Sequence, residues 1–187
     1  MGAPELSDVS VLVVDDEPAL AKLFEAFLED TFDVLTATSG REALQVMNDD
    51  VDVVLLDRRM PDMNGDEVLS TIRERGSDAP VGMVTAVEPD LDIVDMPFDD
   101  YLKKPITRDV LVSKVEILAR RATFDERRRE FFRLASKKVT LEIQTGIDHA
   151  DEEAYRELVH RMEELRIELG DTLDNLLEED PTITFDP

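Results

Sequence analysis

Five short apolar runs, separated by stretches of helical periodicity, constrain the fold of this 187-residue chain more than any other feature. Residues 10–14, 51–56 and 81–84 are rich in β-branched and other apolar side chains, and residues 32–36 and 101–102 are weaker runs of the same kind. Such runs are typical of parallel strands that are buried on both faces. Helical faces lie between them at residues 18–29, 40–47 and 66–75. The alternation predicts an α/β fold with a doubly wound, five-stranded parallel sheet.

The pattern changes after Thr107, and the rest of the chain predicts helices alone. A helix face begins at Val110 and meets no breaker before Gly146, so we expect one helix over residues 108–144. Asp151 or a neighbour then caps a second helix. Both helices repeat apolar residues at heptad spacing, at Phe124, Phe131, Leu134 and Leu141 in the first and Tyr155, Leu158, Met162, Leu165, Leu169 and Leu176 in the second. We expect an all-helical hairpin or a dimeric coiled coil over residues 121–187, behind a first domain of residues 1–120.

The charge of the chain is strongly negative, with 45 acidic residues against 21 basic ones and a net charge of -24. Such a surface repels nucleic acid and anionic membranes. It is typical either of an acidic interaction protein or of adaptation to a salt-rich cytoplasm, where a short Debye length screens the self-repulsion. The acidic residues are spread along the whole chain rather than collected in one block, which favours the second interpretation.

Composition excludes several kinds of site. The chain has no cysteine, so it has no disulfide, thiolate metal site or catalytic thiol. His149 and His160 have no partner at metal-ligand spacing. No apolar run approaches the roughly 20 residues of a membrane span, and the first residues lack the pattern of a signal peptide. We therefore expect a cytoplasmic protein.

Polar residues follow four of the five predicted strands at the point where each strand ends. They are Asp15 and Asp16 after the first, Asp57 after the third, Thr85 after the fourth and Lys104 after the fifth. In an open parallel sheet these strand ends share one edge, which is where ligands bind. The sequence therefore predicts one polar site at this edge.

Three carboxylates at one point repel each other unless a cation lies among them. Oxygen ligands without Cys or His suit Mg²⁺. Beside Asp57 this ion would orient an incoming phosphoryl group, whose oxygens Lys104 and Thr85 would bind. The Lys104–Pro105 bond is a candidate cis peptide that would turn the lysine into the site.

Four segments carry a resemblance to a known family: VLVVDDEP, VVLLDRRMPDMNG, MVTA and DDYLKKPI. In this order and spacing they resemble the signatures of the receiver domain of two-component response regulators, over residues 9–118. The resemblance implies a flavodoxin-like fold, a Mg²⁺ cofactor and phosphoryl transfer from the phosphohistidine of a sensor histidine kinase. It implies a switch that phosphorylates and slowly dephosphorylates itself, not an enzyme that turns over free substrates.

The resemblance also assigns roles by motif match. Asp57 is the expected phosphoacceptor. The expected metal ligands are Asp15, Asp16, Asp57 and the backbone carbonyl of Arg59. Residues expected at the phosphoryl group are Thr85, Ala86 and Lys104, with Thr85 and Tyr101 as the switch pair. Arg59 and Val87 resemble positions that tune dephosphorylation, and the bulky, cationic Arg59 leads to the hypothesis of a long phosphoryl lifetime.

The remainder of the chain, with ATFDERRREFFRLASKKVTLE, resembles the HalX domain found behind such receivers in haloarchaea. We expect it to relay the signal to an output protein whose identity the sequence does not give. The alternative function is that of a DNA-binding transcriptional regulator, although the tail has no helix-turn-helix pattern. Pro89 and Pro97 leave room for barely two turns of the fourth helix through which many receivers dimerise. Any homodimer is therefore expected to form through the C-terminal helices.

Some residues have a less specific interpretation beside the functional one. A cluster of basic residues lies in the first C-terminal helix: Arg127, Arg128, Arg129, Arg133, Lys137 and Lys138. This cluster could bind nucleic acid, but we favour the interpretation that it is a solvated helix face paired with acidic residues. Arg58 is predicted to be a solvated charge. Tyr101 could be a half-buried strand residue with its hydroxyl at the surface.

Overall fold

The structure, a computed structural model, describes residues 8–122, 126–145 and 152–169. Its sheet has five parallel strands in the order β2-β1-β3-β4-β5. The strands are β1 (Ser10–Val14), β2 (Asp33–Ala37), β3 (Val53–Leu56), β4 (Val81–Thr85) and β5 (Asp100–Lys103). The predicted doubly wound α/β sheet is confirmed, with boundaries that differ by one or two residues.

Four helices accompany the sheet: α1 (Pro18–Leu28), α2 (Gly40–Val46), α3 (Gly65–Glu74) and α4 (Arg108–Arg121). The central strands are buried because their side chains are apolar on both faces, and each fully buried Val or Leu contributes about 1.5–3 kcal/mol. A capping box starts α3, since Asn64 accepts from the Glu67 N–H and the Glu67 carboxylate accepts from the Asn64 N–H. It fixes where the loop after β3 ends.

Contacts divide the described chain into two units. The first holds the sheet and helices α1–α4. The second holds α5 (Glu126–Thr145) and α6 (Glu153–Leu169), together with the segment Glu88–Met96 that leaves the sheet after β4. This segment contains a 3₁₀ turn, Leu91–Ile93, and no α-helix. The prediction that Pro89 and Pro97 leave little room for a helix between β4 and β5 is thus confirmed.

Helices α5 and α6 form an antiparallel hairpin within one chain. Its apolar core consists of Phe131, Phe132, Ala135, Met162 and Leu165. Ion pairs connect Arg161 with Glu130 at 2.9 Å and Arg127 with Glu168 at 3.8 Å. The Tyr155 hydroxyl also donates to Glu142. The predicted heptad stripe is confirmed for α6, where Leu158, Met162 and Leu165 are buried, and Leu176 lies outside the described residues.

The prediction of one helix over residues 108–144 is wrong. Helix α4 ends at Arg121, and the Ala122 N–H closes its last turn on the Leu118 carbonyl. The apolar face of α4 belongs to the sheet core, whereas Phe131 and Phe132 belong to the hairpin core. The two stretches pack in different cores, and tertiary packing of this kind can override the helical propensity of the sequence. Gly146, the predicted stop, lies outside the described residues.

Candidate functional site

Two neighbouring strands bring their following carboxylates together. Val14 at the end of β1 pairs with Leu56 at the end of β3, and the Asp57 N–H extends this pairing by donating to the Val14 carbonyl at 2.9 Å. Asp15 and Asp57 therefore leave adjacent strands at the same level. Both are largely buried, with residue exposures of 1% and 8%. The apolar pattern of the strands thus places two carboxylates at one edge of the sheet.

Lys104 reaches these carboxylates from the edge of the sheet that β5 forms. It follows β5, and its backbone N–H donates to the Thr85 carbonyl. The Lys104–Pro105 peptide bond is cis, as the sequence suggested. The Lys104 Nζ lies 2.6 Å from Asp15 Oδ2 and 3.0 Å from Asp57 Oδ2, and 12% of its side chain is exposed. One ammonium group thus bridges two carboxylates from different strands.

Burial and charge act in opposite directions on this lysine. Burial alone would lower the pKa of Lys104, but the hydrogen bonds and charges of Asp15 and Asp57 outweigh it and raise the pKa above its ordinary value of 10.5. Because the pKa is raised on folding, the contribution of Lys104 to stability is fully present below the ordinary pKa. It is lost only as the pH rises through the raised pKa.

Asp16 completes a set of carboxylates of the kind that binds a divalent cation. One oxygen from each of Asp15, Asp16 and Asp57 lies within 4.8 Å of the others. The donors are oxygens, which suits Mg²⁺ better than a soft metal. A single ammonium beside three carboxylates leaves excess negative charge in this pocket, so the residues present fit a bound cation.

The loop after β3 holds Asp57 in place. The Arg59 N–H donates to Asp57 Oδ1 at 3.3 Å, while the Arg59 side chain is exposed. Gly65 lies so close to this loop that a Cβ there would be 2.3 Å from the Asp57 carbonyl oxygen, so a side chain would displace the backbone of Asp57.

The prediction that Arg58 is a solvated charge is wrong. Its side chain is 12% exposed, and its Nε lies 3.1 Å from Asp66 Oδ1 in the first turn of α3. Arg58 therefore ties the loop after β3 to the helix that follows. No spacing in the sequence predicts this pair, because the two residues are separated by a loop.

Thr85 and Tyr101 are connected through a residue between them in space, Val87. The Val87 N–H donates to Thr85 Oγ1 at 3.3 Å, and the Val87 carbonyl accepts from the Tyr101 hydroxyl at 2.8 Å. Thr85 and Tyr101 are buried and Ala86 is exposed. Tyr101 therefore does not present its hydroxyl to solvent as a half-buried strand residue would. Sequence reasoning found the two side chains but not the backbone group that joins them.

The basic cluster on α5 pairs in part with acidic residues, as the favoured interpretation predicted, but it is not a solvated face, because Arg128, Arg129 and Arg133 are half-buried and Lys137 is buried. Lys138 lies 2.8 Å from Glu142 on the same helix, and Arg127 pairs with Glu168 on α6. Lys137 is only 5% exposed, and its Nζ donates to the Val94 carbonyl at 2.6 Å. Lys137 is therefore a buried residue of the second unit and not part of a solvated face.

Two family profiles match this chain. The response regulator receiver domain matches residues 11–116, and the HalX domain matches residues 120–184. Among solved structures, the receiver domain of the Francisella response regulator 1452 is 30% identical, with a TM-score of 0.55, over 62% of this chain and 99% of that one. A CheY-like receiver domain protein of Methanospirillum hungatei is 25% identical, with a TM-score of 0.57, over 61% and 95%. These neighbours share the five-stranded fold.

Curated relatives are longer than this chain. A Haloferax volcanii protein, named as a candidate transcriptional regulator, is 48% identical over 159 residues, which are 84% of this chain and 27% of the relative. The transcriptional regulatory protein CpxR of Escherichia coli K12 is 37% identical over 120 residues, 62% of this chain and 51% of CpxR. The chain thus spans about a quarter to a half of these relatives. Among the described helices, none is long and apolar enough to cross a membrane.

Proposed function

Because the chain belongs to the response regulators, with a receiver domain followed by a HalX domain, we propose that it accepts a phosphoryl group on Asp57 from a sensor histidine kinase and relays the signal through its C-terminal helices. A carboxylate oxygen of Asp57 attacks the phosphorus of the phosphohistidine. The nitrogen–phosphorus bond breaks, and an aspartyl phosphate forms. The protein acts as a switch that slowly loses this group by hydrolysis and does not turn over free substrates.

The observation that carries this proposal is the position of Lys104 between Asp15 and Asp57. Without a phosphoryl group the ammonium bridges the two carboxylates and offsets part of their negative charge. Once Asp57 is phosphorylated, the same ammonium lies beside the new anionic oxygens and can bind one of them as a point charge. Thr85 at the end of β4 can donate its hydroxyl to another phosphoryl oxygen, since its hydrogen bond from Val87 uses only an acceptor site. The phosphoryl group is thus received by groups that are already in place.

A Mg²⁺ ion would be held by Asp15, Asp16, Asp57 and the backbone carbonyl of Arg59. When bound, it would neutralise charge on the transferred phosphoryl group. The residues of the chain would orient the group around it: Asp57 supplies the nucleophile, Lys104 and Thr85 bind oxygens, and the Arg59 N–H steadies Asp57 Oδ1. Treatment with acetyl phosphate and Mg²⁺, followed by mass analysis of the intact protein and its peptides, tests this function directly.

Arg59 and Val87 are the positions proposed to tune the lifetime of the phosphoryl group. The exposed Arg59 side chain follows Asp57 by two residues and can cover or pair with the acyl phosphate. We expect Arg59→Ala to accelerate hydrolysis roughly ten-fold, which corresponds to about 1.4 kcal/mol in the barrier. The measurement is the decay of phosphorylated protein after the donor is removed. Arg41→Ala, which changes an exposed arginine on α2, is the control and should lose its phosphoryl group at the wild-type rate. An unchanged hydrolysis rate for Arg59→Ala would refute the role of Arg59.

Control of transcription is the second candidate function, because the Haloferax volcanii relative and CpxR are named for it. The net charge of -24 argues against direct DNA binding, and so does the pairing of basic residues on α5 with acidic ones. A gel-shift experiment at high salt with phosphorylated protein separates the two. A retarded, sequence-specific complex would favour DNA binding, and its absence would favour a protein partner.

A further inference from the structure

The loop that follows Asp57 is closed at its far end by the first turn of α3. The Gly65 N–H donates to the Arg58 carbonyl at 2.8 Å, so the loop of residues 58–65 returns to the point from which it starts. A Cβ on Gly65 would lie 2.3 Å from the Asp57 carbonyl oxygen and 2.8 Å from the Arg58 Cα. The first turn of α3 thus packs directly against the backbone of Asp57.

The Arg58 side chain closes the same loop a second time. Its Nε lies 3.1 Å from Asp66 Oδ1 and 3.3 Å from Asp66 Oδ2, and its Nη2 lies 3.3 Å from Asp66 Oδ2. The guanidinium therefore contacts both oxygens of one carboxylate, an arrangement that fixes the orientation of the two groups as well as their distance. Arg58 is thus bound to two consecutive residues of α3, to Gly65 through its carbonyl and to Asp66 through its side chain.

The position of this ion pair is more informative than its strength. The Arg58 side chain is 12% exposed and that of Asp66 is 36% exposed, so solvent screens the pair in part and it adds little to the stability of the whole domain. Arg58 nevertheless lies between Asp57, the proposed phosphoacceptor, and Arg59, whose carbonyl is a proposed metal ligand. The pair therefore restrains the stretch of backbone that carries two of the proposed ligands.

We infer that Arg58 and Asp66 are positioning residues: their ion pair holds the backbone of residues 57–59 in the conformation that binds Mg²⁺, and so sets the Mg²⁺ affinity of the site. This inference rests on the proposed function. A loop that is already held loses less conformational entropy when the ion binds, so the free energy of binding is more favourable. Because a guanidinium is a cation and cannot ligate Mg²⁺, Arg58 acts through the backbone that it restrains.

The charge of Arg58 and its ion pair have opposite expected effects on Mg²⁺ binding. Arg58 is a cation next to Asp57, and a positive charge near a metal site disfavours a second cation. Removing the charge alone should therefore strengthen Mg²⁺ binding. Removing the ion pair should weaken Mg²⁺ binding, because the loop must then be ordered by the ion. The sign of the change in affinity separates the two roles.

Arg58→Met in the full chain should raise the Mg²⁺ dissociation constant roughly five-fold, which corresponds to about 1 kcal/mol. Titration calorimetry without a phosphoryl donor measures this constant. Asp66→Asn removes the other partner and should raise the constant to a similar extent. The double variant should bind Mg²⁺ no more weakly than either single variant, because both substitutions remove the same interaction.

Phosphoryl incorporation from acetyl phosphate gives a second readout of Arg58→Met. Its rate should fall at limiting Mg²⁺ and return to within about two-fold of wild type at saturating Mg²⁺, because the substitution changes binding of the ion and not the groups that react. A rate that stays low at saturating Mg²⁺ would contradict a role confined to metal affinity.

Two control variants match the two substitutions. Arg75→Met removes the arginine at the other end of α3, whose Nη1 donates to the Leu44 carbonyl at 2.6 Å, and should bind Mg²⁺ like wild type. Asp62→Asn removes an exposed negative charge from the same loop as a control for Asp66→Asn, and should change the affinity much less. The comparison of Asp66→Asn with Asp62→Asn decides the question even if Arg58→Met does not fold.

The inference is overturned if Arg58→Met binds Mg²⁺ as tightly as wild type or more tightly. It is also overturned if the double variant returns to the wild-type affinity, as compensation of two charges would require, or if Asp66→Asn and Asp62→Asn have equal effects. If wild type itself binds no Mg²⁺ and takes up no phosphoryl group, the proposed function fails, which is a different result.

Discussion

Asp57→Ala should abolish stable phosphoryl incorporation from acetyl phosphate in the presence of Mg²⁺, reducing it to the background of the assay. The reason is that Asp57 is held by Lys104 and the Arg59 N–H and is more exposed than Asp15, which Lys104 and the Glu17 N–H hold in a similar way. The Asp57 side chain is still 10% exposed, which leaves an oxygen accessible to a donor. The measurement is the mass of the intact protein, followed by location of the modified peptide.

Asp49→Ala is the matched control for this experiment, because Asp49 is an exposed aspartate in the turn before β3. It should incorporate phosphoryl groups like wild type. A labelled peptide that contains Asp15 or Asp16 instead of Asp57, in wild type, would contradict the assignment. Residual incorporation in Asp57→Ala at the wild-type level would contradict it equally.

The sheet and the meeting of its polar residues could be predicted from the sequence because both depend on local patterns. Apolar runs buried on both faces identify parallel strands, and parallel strands end at one edge. Asp15, Asp57 and Lys104 each directly follow their strand, so they are expected to meet at that edge. The roles assigned to them remain predictions, but their proximity is a property of the fold.

The partners of long basic side chains could not be predicted in the same way. Arg58 and Lys137 were both interpreted as solvated charges, yet each is buried against a group that only the folded chain brings near it. Long side chains reach several ångströms from their own backbone, so their partners are set by tertiary packing. A carbonyl acceptor such as that of Val94 also has no signature in the amino-acid sequence, because every residue carries one.

The end of α4 shows the same limit for secondary structure. Residues 119–126 contain neither Gly nor Pro, so the local signal favours a continuous helix. Helix α4 nevertheless ends at Arg121, and Leu118 and Phe131 belong to different cores, whose contacts join residues far apart in the sequence. The segment Glu88–Met96 is the complementary case: it lies inside the receiver sequence but packs with residues more than 40 positions later.

Lys104→Met should destabilise the Mg²⁺-free protein by about 3 kcal/mol, at the lower end of the range for breaking a buried ion pair by removing one partner. The variant leaves Asp15 and Asp57 side by side without the ammonium that bridges them. Chemical denaturation with the metal removed measures the loss. Added Mg²⁺ should then stabilise the variant more than wild type, because the cation binds the folded state and replaces the missing charge.

Phosphoryl incorporation should nevertheless stay low in Lys104→Met, since a metal bound to the carboxylates does not supply the point charge that Lys104 offers to a phosphoryl oxygen. Lys103→Met is the matched control, because Lys103 is the preceding residue and is exposed. It should change neither the stability nor the phosphoryl incorporation by much. If Lys104→Met were as stable as wild type without Mg²⁺, the repulsion between Asp15 and Asp57 would be weaker than their geometry implies. Normal incorporation in the same variant would remove Lys104 from the phosphoryl site while leaving its structural role intact.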